Sequence, residues 1–368
     1  MKNWSVTMMH FLLGCRFDKL IKLFKDNDFK IPVNRLPQAL LISTVSLVLF
    51  IPALLEEAYC SVFVYPKKTK EDPVFILGHW RSGTTYLQNL LSCDEQFAYF
   101  DPITTYTNNN ALFLHKPIMA VQKDAITQSR PMDNLDYEVD SPSEECFAVA
   151  NRCGDNIVHI MAFPQNAAHY IDHVVLADKP AKKRNDWCRA YHKVMRKTAY
   201  INGEKRLLVK SPDNTSHIQE ILKIYPNAKF VHICRNPYRV IPSMVNMFKM
   251  GSEFLSLQDN PSHEDTVDNA VCLYKKLYTQ YFNDIKLIPE GNLVEIKYEE
   301  FVKSPIEHAE MIYETLDIDG FDEALPAFRE YVDSLEDYKV TKHHPEEYIE
   351  NAIRNNLGFA FEKFGYEL

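Results

Sequence analysis

Positive charge is what this chain has little of. Across 368 residues, 41 Lys and Arg face 50 Asp and Glu, a formal charge of −9. Nucleic acid is held through a broad basic face, so that class of partner is excluded. Any anionic ligand must be gripped by a few local cations. Paired cysteines are the second absence. Cys15, Cys60, Cys93, Cys146, Cys153, Cys188, Cys234 and Cys272 are scattered with no CxxC, which argues against a zinc ribbon or a disulfide framework. A reducing compartment, the cytoplasm, is expected. There is neither an internal repeat nor a low-complexity tract. Hydrophobic residues reach 46% and charged residues 25%, ample for a packed core, so a disordered or fibrous chain is excluded as well. The length allows one large domain or two smaller ones.

Residues 1–70 differ from the rest. Met8 to Cys15 ends in a lipobox-like LLGC, but its apolar run is short and Lys2 is the only early cation, a poor match to a signal peptide. Residues 16–30 place Phe17, Leu20, Ile21, Leu23 and Phe24 among lysines at helical spacing, the pattern of a basic amphipathic helix. Leu36 to Leu55 carries no formal charge and approaches the ~20 residues of a spanning helix. Pro37, Pro52, Ser43, Thr44 and Ser46 weaken that reading. A helix docked on the main domain is the expectation, with peripheral contact to the inner face of a membrane through residues 16–65.

From Pro73 the pattern alternates. Apolar runs at Val74–Leu77, Leu207–Val209, Phe230–Ile233 and Leu293–Ile296 predict buried parallel strands. Helices are predicted at Thr84–Ser92, Thr215–Tyr225, Tyr238–Met250, Thr266–Ile285 and Pro305–Leu316. Strand–helix alternation implies an α/β fold, a P-loop-type parallel sheet flanked by helices, with sites at the strand carboxyl ends. Residues 71–368 form the main domain, residues 100–200 a helical insertion on the substrate side, and residues 1–70 an apolar helical appendage.

The segment Val74-Phe-Ile-Leu-Gly78-His-Trp-Arg81-Ser82-Gly83-Thr84-Thr85 runs a strand into a glycine loop that opens a helix, so backbone N–H groups converge on an anion. Its glycine spacing is that of a nucleotide-triphosphate loop, but Thr84 stands where the phosphate-binding Lys belongs. The cation is Arg81 instead, and no magnesium-binding Asp motif accompanies it. A kinase or NTPase is disfavoured. A second element, Phe230-Val-His-Ile-Cys-Arg235-Asn-Pro, sets Arg235 at a strand end with Ser243 about two turns into the next helix, a pair suited to a second phosphate.

GHWRSGTT resembles the loop that holds the 5′-phosphosulfate of 3′-phosphoadenosine 5′-phosphosulfate (PAPS) in sulfotransferases, and FVHICRNPYRVIPSM resembles their 3′-phosphate motif. The likeness continues in Leu208-Val-Lys210-Ser-Pro and Ile296-Lys-Tyr298-Glu-Glu-Phe, where the family has a Lys near the transferring group and a Tyr near the adenosine. Arg130-Pro-Met-Asp-Asn134 and Ser141-Pro-Ser-Glu-Glu145 are similar to a bacterial branch that includes gut enzymes acting on sterols and bile acids. The resemblance covers roughly residues 73–318. It implies PAPS as cosubstrate, its 3′,5′-diphosphate (PAP) as product, and no metal. Arg81, Ser82, Gly83, Thr84, Thr85, Arg235, Ser243 and Tyr298 would bind it.

Sulfuryl transfer puts charge on the leaving oxygen, so catalysis is mainly positioning and electrostatics. Cytosolic relatives usually carry Lys at the Arg81 position, whereas Golgi-type and many bacterial members carry Arg. Arg does not give up its proton, so Arg81 stabilises charge while Lys210 or water handles protons. The base is less defined. The His of cytosolic relatives, two residues past the Lys, is Pro212 here. Other members place a carboxylate about twenty residues after the loop cation, which fits Asp101, although Asp101-Pro102 is also a turn signal. Ser141-Pro-Ser-Glu144 reads as a capping box, assigning Glu144 to a helix start and leaving Glu145 to face the acceptor. His79, His159 and His217 read as structural. With 22 Phe and 20 Tyr, an apolar acceptor pocket is expected for a small-molecule alcohol or phenol. A sugar hydroxyl is the runner-up, and a non-catalytic membrane scaffold the alternative of another class.

Overall fold

The computed structural model describes residues 10–122, 128–129, 136–335 and 346–368. Five parallel strands form one sheet: β1 (Val74–Leu77), β2 (Phe97–Ala98), β5 (Arg206–Lys210), β6 (Lys229–Cys234) and β7 (Leu293–Lys297), in the order β2-β5-β1-β6-β7. A separate two-residue ladder joins β3 (Gln128–Ser129) to β4 (Asp136–Tyr137). The inner strands β1, β5 and β6 are mostly apolar because both faces are covered. Phe75 and Leu77 of β1, Leu207 and Val209 of β5 and Phe230 of β6 point into the larger core. Val74, Ile76, Leu208, Val231 and Ile233 point into a second core beneath the helices Pro305–Thr315 and Phe321–Asp333. The fold is the expected α/β sheet. β2, too short to show periodicity, is the sheet strand the sequence did not reveal.

The N-terminal residues pack as α1 (Phe17–Asp26), α2 (Leu36–Val48) and α3 (Phe50–Phe63). Phe11, Leu12, Leu20, Leu23, Phe24 and Ile42 are buried in the same core as β1 and β6, so this segment is built into the main fold. Leu36–Leu55 is not one helix. The chain bends by 47° between α2 and α3. Pro52 has no N–H to donate to the Val48 carbonyl and its ring crowds that turn. No single described helix is long and apolar enough to cross a membrane.

After β1 comes α4 (Thr84–Leu91). The connection from β2 to β5 holds α5 (Pro102–Tyr106), α6 (Ala111–Gln122), α7 (Cys146–Ala150) and the long helix Ala181–Ile201. The helix expected at Thr215–Tyr225 is a 3₁₀ turn, Pro212–Ser216, followed by a helix over Ile218–Ile224. Every strand of the sheet being parallel, the loops after β1, β2, β5 and β6 all open at one edge.

Candidate active site

The loop after β1 is shaped by its glycines. Gly83 has φ +99°, and a Cβ there would stand 2.3 Å from a ring carbon of Tyr298. Gly78, at φ +144°, approaches the Ile233 carbonyl so closely that a Cβ would lie 2.5 Å from it. Between them Arg81 adopts φ +70°, a costly geometry for a non-glycine residue. The loop is pinned from outside: Gly78 N–H donates to Thr215 Oγ1 at 2.8 Å, and His79 N–H to the Tyr278 hydroxyl at 3.2 Å. Ser82 turns its hydroxyl inward to the His79 carbonyl at 2.7 Å. Gly83 caps α4 without a side-chain acceptor, so the N–H groups of Thr84 and Thr85 open the helix with its positive dipole end toward the loop.

Arg235 comes from the end of β6. Its guanidinium lies over the Tyr298 ring, 4.1 Å from the centroid, and Nη1 donates to the Arg81 carbonyl at 3.2 Å. Its Nε is buried without a hydrogen-bond partner among the described residues, and burial lowers its pKa. A buried guanidinium with an unspent donor is an anion site in waiting. Arg235, Arg239, Tyr298 and Arg354 line a pocket of about 560 Å³. Ser243, expected beside Arg235 on a second phosphate, accepts from Arg81 Nε at 2.9 Å. Tyr298 sits at the end of β7, and its ring ties the two motifs together through Gly83 and Arg235.

Lys210 ends β5 and is 2% exposed. Its Nζ lies 2.5 Å from Glu144 Oε1 and 3.5 Å from Thr85 Oγ1. Arg81, Thr84, Thr85, Lys210, Arg235 and Tyr298 therefore stand on one sheet edge.

The two carboxylates expected as base behave differently. Glu145 is fully buried: Oε1 accepts from Tyr191 at 2.9 Å and from Asn214 at 2.5 Å, and desolvation raises its pKa. It anchors α7 to the strand end and does not face an acceptor. Ser211, next to Lys210, accepts from Cys146 N–H at 3.0 Å, at a helix start four residues later than the capping box implied. Glu144 is thereby freed from capping and turned to Lys210. Asp101 caps α5, with Oδ1 accepting from Thr104 N–H at 2.8 Å and Oδ2 paired with His115 Nε2 at 2.8 Å. It lies near the edge, since the Phe100 carbonyl accepts from Ser143 N–H at 2.6 Å, but both its oxygens are engaged. Glu144 and His115 are what sequence reasoning missed. The only hint of Glu144 was its pairing with Glu145; nothing flagged His115. The Arg130–Asn134 motif lies outside the described residues. His79, His159 and His217 are buried, and desolvation lowers their pKa values to about 4, 4 and 3.

A profile of the Sulfotransferase family matches residues 73–323, which takes in β1, β5, β6 and β7 with every residue named on the edge. Over 371 aligned residues the chain is 25% identical to the omega-hydroxy-beta-dihydromenaquinone-9 sulfotransferase Stf3 of Mycobacterium bovis, covering 100% of this chain and 93% of that protein. Among solved structures it is similar to sulfotransferase STF9 of Mycobacterium avium, at TM-score 0.65 and 17% identity over 96% of this chain and 98% of that one. It is also similar to STF1 of Mycobacterium tuberculosis, at TM-score 0.60 and 15% identity over 93% and 92%. With the loop, the strand-end arginine and the lysine in place, the chain belongs to the sulfotransferase family.

Proposed function

We propose that this sulfotransferase moves the sulfuryl group of PAPS onto the hydroxyl of a hydrophobic small molecule, a lipid-like alcohol, sterol or phenol. The observation that carries the donor assignment is the Arg235–Tyr298 stack closing on the Gly83 loop, with Arg235 Nε left unpaired. Two anion-binding elements joined by an aromatic ring suit a nucleotide phosphorylated at both ends. Arg235 would hold the 3′-phosphate, Tyr298 would lie by the adenosine, and the N–H groups of Thr84 and Thr85 would hold the 5′ side. Bound there, the donor supplies a sulfuryl group on a phosphate oxygen. Lys210, touching Thr85 on one side and Glu144 on the other, and Arg81, steered by Ser243, stabilise negative charge developing on that oxygen. Glu144 takes the proton of the acceptor hydroxyl. It is preferred over Asp101 and Glu145 because its side chain remains 19% exposed beside the catalytic lysine. A hydrophobic acceptor is supported by the Mycobacterium bovis relative, whose name specifies a menaquinone alcohol.

Labelled PAPS with a panel of lipid alcohols, sterols, phenols and glycans tests the reading. Transfer to the apolar acceptors is expected, and transfer to glycans alone overturns the acceptor class. Glu144→Gln should lower kcat by about 10²–10⁴ with PAP affinity unchanged by calorimetry. Arg235→Ala should weaken PAP by about ten- to a hundredfold. Full turnover by Glu144→Gln rejects it as the base.

A further inference from the structure

Helices α2 and α3 bury one face and bare the other. Ala39, Ile42, Ser46, Ala53, Glu56 and Cys60 face the protein. Leu40, Leu41, Val48, Ile51, Leu55 and Val62 are 51–69% exposed. Single exposed leucines are ordinary, but a run along two successive helices marks a docking surface. The buried side argues against a span. Glu56 is fully buried with Lys197 Nζ at 2.6 Å, and Glu57 bonds Arg152 at 3.0 Å and Lys193 at 2.7 Å. Threading α3 through hydrocarbon would tear these pairs apart and leave charges in lipid.

Beside Glu57 runs a groove of about 690 Å³. Nine Lys and Arg line it against three carboxylates, with Lys19 and Lys22 from α1 and Arg16 from the residue just before it. Asp18, Asp26 and Asp172 bond three of these cations from outside the lining. The balance still stays positive by three, in a chain whose total is −9. Lys19 and Lys182 have no ion pair among the described residues. Asp155, His169 and His173 in the same region hold their ligand atoms within 4.8 Å of one another. Lys183 Nζ, however, stands 3.0 Å from Asp155 and 3.5 Å from His173, so the groove suits anions and not a cation.

We propose that α2 and α3 seat the protein on the surface of an anionic bilayer, the apolar face at the headgroup–acyl boundary and the basic groove over the headgroups. Charge complementarity favours this occupant over a second copy of the chain, which would bring like-charged grooves together. Docking also reaches the acceptor side. Glu56 accepts from the N–H groups of Leu112 and Phe113 at 3.2 and 3.0 Å, at the start of α6, and α6 carries His115 against Asp101. An acceptor dissolved in the lipid would thus be taken up next to the sheet edge.

Flotation of the full chain on phosphatidylcholine vesicles, with and without phosphatidylglycerol, tests the seating. It uses neither donor nor acceptor, so its failure and the failure of the proposed reaction are separable. Flotation is expected with phosphatidylglycerol, and its loss in Leu41→Glu/Leu55→Glu. Lys19→Glu/Lys182→Glu should lower partitioning by at least about fivefold per residue, the effect of one juxtamembrane cation, and raised salt should act in the same direction. PAP binding by calorimetry verifies that variants fold, and the milder pair Leu40→Ser/Val62→Ser carries the same expectation. No flotation of the wild type, undiminished flotation of both leucine variants, a dimer that the leucine changes dissolve, or retention in membranes through alkaline carbonate extraction would each overturn the proposal.

Discussion

Gly83 constrains the site more tightly than any of its charged residues. At φ +99°, with a Cβ position 2.3 Å from Tyr298, a side chain would strain the loop and displace the ring on which Arg235 rests. Gly83→Ala should therefore weaken PAP by at least about fivefold, given ~1–3 kcal/mol for a strained backbone. Calorimetry reads this directly, and unchanged affinity would show that the Tyr298–Arg235 stack is dispensable. Arg81, Lys210 and Arg235 were legible in sequence because each follows an apolar run that can only be a buried strand, and a strand end fixes where its next residue lies. Glu144 was not. Adjacent residues near a helix start point in different directions, and which one faces Lys210 is set by Ser211 and Asn214, residues from another strand's loop.

At the level of elements, the pair Glu56–Lys197 joins α3 to the helix Ala181–Ile201, and Lys197 also donates to the Asn108 carbonyl at 2.8 Å. Both side chains are fully buried, and desolvation lowers the Lys197 pKa to about 8. Removing one partner strands a charge, so Lys197→Met should cost about 3–5 kcal/mol, while Glu56→Gln/Lys197→Met, which removes that charge and keeps an acceptor for the Leu112 and Phe113 N–H groups, should recover part of that loss. Urea unfolding of the two variants decides it; equal losses would mean that packing, not the stranded charge, sets the penalty. The apolar run Leu36–Leu55 was legible as helical and uncharged. Its break into α2 and α3 follows from Pro52, but the face each helix buries depends on the partners it meets.

For the whole molecule, burial of neutral histidines sets the response to acid. His10, His79, His159 and His217 have pKa values lowered by desolvation from 6.5 to about 4, 4, 4 and 3. Below pH 6.5 the unfolded chain takes up protons that the folded one refuses, so stability falls as pH drops toward 4. Desolvation raises the pKa values of Glu145, Asp213, Glu220 and Asp284, which has the opposite sign there, but it also lowers those of His173 and His192, so six histidines stand against four carboxylates. Glu57 and Asp155, held at about 2 by their cationic partners despite burial, extend the loss to lower pH. Scanning calorimetry should show Tm falling as pH is taken from 6.5 toward 4; a flat or rising Tm would contradict the histidine account.

The sequence by itself determined the parallel α/β sheet, its two anion-binding motifs and the family, because apolar period and strand-end chemistry are local properties of the chain. Tertiary structure alone decided that Glu144 and not Glu145 meets Lys210, that Asp101 is spent on Thr104 and His115, and that the N-terminal helices share the main core. Each of those outcomes turns on which distant group supplies a hydrogen bond or fills a gap. Such partners are fixed by packing in three dimensions, and no residue spacing encodes them.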